Sequence, residues 1–114
     1  MPVWQDAVAY AVEVYAATEA MPKSELYGLT GQLRRAAVSV AANIAEGSGR
    51  KSTPDLLHFL TMAGSSLREV DTLLEIIGRL NYDVDCASLM RKADSVGRQL
   101  TALRRALKGR QSSK

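Results

Sequence analysis

Ser52-Thr53-Pro54-Asp55-Leu56-Leu57-His58-Phe59-Leu60 opens the stretch whose reading decides the fold. Thr53 suits a helix N-cap, Pro54 suits the first helical position, where its missing N–H costs nothing, and Asp55 complements the positive end of the helix dipole. Beyond this start, Leu56, Phe59, Leu60, Ala63, Leu67, Val70, Leu74 and Ile77 recur at spacings of three and four. Residues so spaced share one helical face, so the pattern predicts a helix of about 27 residues and roughly 40 Å. Leu57, Leu73, Ile76 and Leu80 fall on a neighbouring face and widen the apolar surface beyond one stripe. Either the core stripe is wide and leaves some leucines exposed, or copies of the chain associate over it.

Three further segments flank this helix. Trp4, Ala7, Val8, Ala11, Val14, Tyr15 and Thr18 predict a first helix over about residues 3 to 20, ended by Pro22. Leu26, Leu29, Leu33, Ala37, Val40 and Ile44 predict a second, capped by Ser24 or Thr30 and closed by Gly47 and Gly49, since glycine accepts the left-handed conformation past a helix end. Asn81-Tyr82-Asp83-Val84-Asp85 reads as a turn with Asp85 as cap. After it, Leu89 or Met90, Ala93, Val96, Leu100, Leu103 and Leu107 form a last stripe. Short connections force sequence neighbours to lie side by side, so the expectation is an all-α, antiparallel up-down-up-down four-helix bundle. One domain over residues 1–108 and a flexible basic tail over 109–114 follow from this pattern.

Composition agrees with that class. Of 114 residues, 46% are apolar and 24% charged, a globular balance, and only three are proline. No basic leader precedes the first apolar stretch, which Glu13 interrupts well short of a membrane span, so neither export nor a membrane is expected. Cys86 is the single cysteine and has no CxxC or Cys/His cluster beside it, which leaves no metal-site spacing and points to a cytoplasmic setting.

Chemistry-bearing patterns are few. His58 is the only histidine, and no Ser-His-acid or paired-carboxylate spacing can be assembled around it, so no enzyme and no cofactor are expected. Gly47-Ser48-Gly49-Arg50-Lys51 lacks the strand and the GK[ST] ending of a phosphate-binding loop and reads as a helix-to-helix turn. Arg35, Ser39, Asn43 and Glu46 align along one ridge of the second helix. Such a ridge either grips a ligand or makes hydrogen bonds that fix register between helices, with Ser65, Ser66, Arg68 and Glu69 as candidate partners. The small run Ala63-Gly64-Ser65-Ser66 implies close approach of another helix, or else a glycine tolerated at an exposed position.

Charge is unevenly placed. Residues 86–114 hold Arg91, Lys92, Arg98, Arg104, Arg105, Lys108, Arg110 and Lys114 against Asp94 alone, a balance of +7, whereas residues 1–85 hold seven basic and eleven acidic groups, a balance of −4. The basic end suits phosphates of RNA or DNA, and association of copies would multiply its field. Alternatively its arginines pair with Glu69, Asp71 and Glu75 on a solvated surface.

Glu25-Leu26-Tyr27-Gly28-Leu29-Thr30, the run from Gln32 to Ser39, Asn43-Ile44-Ala45-Glu46-Gly47, and Phe59-Leu60 with Ala63-Gly64-Ser65 resemble the four-helix-bundle proteins of the 23S rRNA intervening-sequence type. That bacterial family is similar to the accessory variability determinant proteins of diversity-generating retroelements, basic pentameric barrels that engage nucleic acid and a reverse transcriptase. The resemblance implies a homopentamer. It carries Arg34, Arg35, Asn43 and Glu46 over as family positions without a chemical step. The sequence thus leads to a non-enzymatic oligomeric protein that contacts RNA or DNA through its last helix, or to an adaptor for a protein partner such as a reverse transcriptase.

Overall fold

In the computed structural model, which describes residues 1–112, four α-helices and no strand make up the regular structure. They are α1 (Pro2–Ala17), α2 (Leu29–Ser48), α3 (Thr53–Arg79) and α4 (Cys86–Ser112). The molecule is a rod of 52 × 21 × 19 Å, its length set by the two 27-residue helices. Contacts join α1 to α2, α2 to α3, α3 to α4 and α1 to α4, which surrounds one core. Leu33, Ile44, Leu60, Leu74, Ile77 and Leu100 are its largest fully enclosed side chains.

Caps explain where the helices start. Ser52, one residue before the expected Thr53, caps α3, its Oγ accepting from the Asp55 amide at 3.3 Å. Asp85 caps α4, its Oδ1 accepting from Ser88 N at 3.1 Å. Neither Ser24 nor Thr30 caps α2. Ser24 lies in a 3₁₀ turn over Lys23–Glu25, and Thr30 is buried inside the helix. The carboxylate of Glu25 takes the role instead: Oε1 accepts from Leu29 N at 3.2 Å while Oε2 accepts from the Tyr82 hydroxyl at 2.9 Å. That second bond ties the start of α2 to the turn between α3 and α4, and it raises the Tyr82 hydroxyl pKa.

Helix ends correct the expectations based on glycine. α2 runs through Gly47 to Ser48, and Gly49 follows at φ −85°, so neither residue uses the left-handed conformation. Gly47 is buried because α3 comes too close for a side chain: a Cβ there would stand 2.9 Å from Phe59 Cβ and 3.1 Å from Leu56 Cδ1. The left-handed residue is Asn81, at φ 61°, just past the end of α3. Gly109 does not end α4, which continues to Ser112: glycine costs a helix about 1 kcal/mol, too little to stop it without a competing cap. The remainder of the expected tail, residues 113 and 114, lies outside the described residues.

The buried face of α1 is not the expected one. Ala7, Ala11, Val14 and Thr18 are inside, but Val3 and Tyr10 join them, and Trp4, Val8 and Tyr15 face outward. Tyr10 is held in by a 2.9 Å hydrogen bond from its hydroxyl to the Leu89 carbonyl on α4. On α3 the second apolar face is divided: Leu73 is buried and Leu57 partly so, while Ile76 and Leu80 are exposed. The larger apolar surplus lies between α1 and α2, in a groove of about 410 Å³ lined by Trp4, Val8, Val12, Tyr15, Val38 and Ala42.

Candidate nucleic-acid interface

α4 turns Ala93, Val96, Leu100 and Leu107 into the core, and the spacing that buries them leaves its basic residues on the outer faces. Arg91, Arg98 and Arg105 are exposed, as are Lys92, Lys108 and Arg110. Lys92 Nζ pairs across to Glu13 Oε2 on α1 at 2.7 Å, so this cation braces α4 against α1. Glu75, one expected partner for α4, pairs with Arg79 on its own helix.

Arg104 behaves differently from its neighbours. Half-buried, it lies back over α3, with Nη1 3.9 Å from the place a Cβ on Gly64 would occupy. Position 64 thus lies within ordinary contact distance of the guanidinium. Arg104 Nε is shielded from solvent and has no acceptor among the described residues. A buried donor without an acceptor costs about 1–3 kcal/mol, so the position is unsatisfied as it stands.

Beside Arg104, α3 and α4 border an open groove of about 480 Å³. Arg68 and Asp71 line it from α3, and Asp94, Arg98 and Arg105 from α4. Gly97 opens its α4 wall, with no atom within 4 Å of the place its Cβ would take. Asp71 is half-buried, and its carboxyl pKa is raised, first by desolvation and then by the neighbouring charge of Asp94. Asp71 and Asp94 thus share the groove with its arginines, and no ion pair joins Asp71 to α4 among the described residues.

The expected polar ridge on α2 divides into three local arrangements. Ser39 Oγ meets Ser66 Oγ on α3 at 2.9 Å, and Asn43 Nδ2 donates to both the Ser39 carbonyl, at 2.9 Å, and Ser39 Oγ, at 3.1 Å. The Ser39–Ser66 bond joins α2 to α3 through one of the expected partners. Arg34 turns toward α1, where Nε donates to Thr18 Oγ1 at 2.9 Å and the guanidinium stacks on Tyr15, 4.6 Å from the ring centre. Glu46 forms an exposed pair with Arg50 at 2.9 Å, and Arg35 is exposed. The structure thus brings Ser39 and Asn43 together and separates Arg34, Arg35 and Glu46 from them.

The sequence named Asp71 as a partner for the α4 arginines and Arg68 as a partner for the α2 ridge, but not the groove that the two line together. The usable signal was a pair of small residues, Gly64 on α3 and Gly97 on α4, flanked by charges in both helices. No cluster of three or more metal-ligating side chains occurs among the described residues, and no helix there is long and apolar enough to cross a membrane.

Comparison with solved structures gives a protein of unknown function from the S23 ribosomal protein family of Bacteroides thetaiotaomicron VPI-5482, with a TM-score of 0.81 and 20% identity over 89% of this chain and 96% of that one. At that identity the likeness is one of fold. A search of curated proteins gives no match. The sequence model of the 23S rRNA-intervening sequence protein family matches residues 1–102, from α1 through most of α4, and the chain accordingly belongs to that family.

Proposed function

We propose that this is a non-enzymatic, self-associating protein that binds RNA or DNA through α4. The observation that carries this reading is the charge balance of +7 over residues 86–114, with Arg91, Arg98 and Arg105 held on the outside of one rigid helix. Cations fixed on a helix meet phosphates without first losing side-chain and backbone freedom together, and the counterions they displace drive association. Binding measured by fluorescence anisotropy should therefore weaken linearly in log–log form as salt rises, with a slope of about −0.7 per phosphate contacted on a single strand. Binding that ignores salt, or no binding at low salt, ends the proposal.

Self-association belongs to the same reading. The short links at residues 49–52 and 80–85 support an antiparallel up-down-up-down bundle, whose α1–α2 groove is then an apolar strip along one side. Val12, 64% exposed, sits in that strip beside Trp4 and Tyr15. A second copy is the occupant that removes it from water, and the family likeness makes a ring of five the proposed assembly, in a cytoplasmic setting.

A second reading, an adaptor for a protein such as a reverse transcriptase, rests on Leu26 and Tyr27. They stand exposed just before α2, Tyr27 at 92%. Aromatic side chains so placed are common anchors of protein interfaces. Binding between the two purified proteins that survives nuclease but is lost in Tyr27→Ala would favour it over the first.

A further inference from the structure

The α3–α4 groove does more than add positive charge, because two carboxylates sit among its arginines. A surface built only to attract phosphate has no use for Asp71 and Asp94, which repel it. Their placement instead suits a ligand that carries hydrogen-bond donors between anionic groups. A nucleobase flanked by its phosphates has that pattern.

We propose that the groove seats an unpaired, amino-bearing nucleobase of single-stranded nucleic acid, guanine in preference to uracil. This rests on the nucleic-acid reading of α4 and adds a specificity to it. The groove, of about 480 Å³ and open along one side, has room for one base laid against it. Guanine presents N1–H and N2–H₂ side by side, a donor pair that matches the two oxygens of a carboxylate. Its O6 is an acceptor on the same edge, which an exposed guanidinium of Arg98 or Arg105 on the groove can meet. Uracil presents a carbonyl on each side of its single N–H, so a carboxylate facing it meets oxygen. Arg68, Arg98 and Arg105 at the rim supply charge for the adjoining phosphates and guanidinium planes for the base to stack on. In a duplex the same base edge is occupied by its partner, which restricts the site to single strands, loops and ends.

Desolvation of Asp71 fits this role. A carboxylate already partly withdrawn from water loses less hydration when the base arrives, so more of the hydrogen-bond energy remains as discrimination. Gly64 and Gly97, which line the groove, put no side chain into it.

The test uses the full chain and two fluorescent oligonucleotides of equal length, one all uridine and one with a central guanosine, at low salt. The expected result is about tenfold tighter binding of the guanosine oligonucleotide, the size of one good bidentate base contact. In Asp71→Asn/Asp94→Asn, whose side chains are close to isosteric, the preference should vanish while binding of oligouridine is kept or improved, since two negative charges are gone. Equal affinity of the native protein for both strands overturns base recognition and leaves the phosphate-binding helix standing. A preference that persists in the double variant also overturns it. No binding of either strand overturns the base site together with the reading it rests on.

Discussion

Single residues here are best understood by what a small change would meet. Gly47 and Gly97 are both helical glycines, and alanine at either gains about 1 kcal/mol of helix propensity. At Gly97 nothing lies within 4 Å, so Gly97→Ala should stabilise the protein by roughly that amount. At Gly47 the new Cβ would press on Phe59 Cβ at 2.9 Å, an atom fixed to the α3 backbone that cannot swing aside. Overpacking of this kind costs about 1–3 kcal/mol, so Gly47→Ala should be destabilising despite its propensity. Urea denaturation of the two variants checks the opposite signs. Tyr10 offers a second test. Burial raises its hydroxyl pKa well above the ordinary 10.0, so the folded protein keeps a proton that the unfolded chain releases at that pH. Its contribution is complete below pH 10.0 and is lost as pH rises above it, because the unfolded state then binds fewer protons. Tyr10→Phe leaves the Leu89 carbonyl without its donor and should cost about 1 kcal/mol at neutral pH. It should also lessen the alkaline loss of stability seen in thermal melts from neutral pH to above 10.0. An unchanged alkaline profile would show that other groups, such as Tyr82, govern it.

At the scale of the helix, what the sequence discloses depends on whether the information is local. The start of α3 was legible to within one residue because Ser52, Thr53, Pro54 and Asp55 act on their own backbone. Ser52→Ala should therefore cost about 1 kcal/mol, read as a lower urea midpoint with unchanged slope, while Thr53→Ala should cost less because its hydroxyl caps nothing. The start of α2 was not legible, since its cap is a glutamate held in place by Tyr82, 57 positions away. α1 failed for another reason. It is apolar nearly all round, and both the Trp4–Val8–Tyr15 stripe and the Val3–Tyr10–Val14 stripe have helical period. Periodicity cannot choose between two stripes; the bond from Tyr10 to Leu89 favours the second. The groove shows the same limit. Arginines crowd α4 visibly, but that Asp71 of α3 lies beside Asp94 depends on the register between two helices, which only packing determines.

On the scale of the whole molecule, the two surfaces proposed for binding lie on different helix pairs, apolar on α1 and α2 and charged on α3 and α4. Copies can therefore meet through one pair and still present the other to a strand. The consequence is quantitative. One chain carries a modest net charge of +3, and residues 1–85 oppose the basic end with −4, so a single copy should hold a short strand weakly. Several copies held together turn each further contact with a long strand into an intramolecular event, a gain of about 10²–10⁴ in favourable geometry. Val12→Asp/Val38→Asp would place two charges in the α1–α2 groove without touching the core, since both side chains are exposed. Light scattering should show this variant as a monomer with native helicity, and the native chain as a larger assembly. Affinity for a short oligonucleotide should then be nearly unchanged, while affinity for a long strand should fall by at least about a hundredfold. A native chain that is already monomeric at micromolar concentration, or a monomeric variant that keeps its hold on the long strand, would separate the basic helix from assembly and leave each copy to bind by itself.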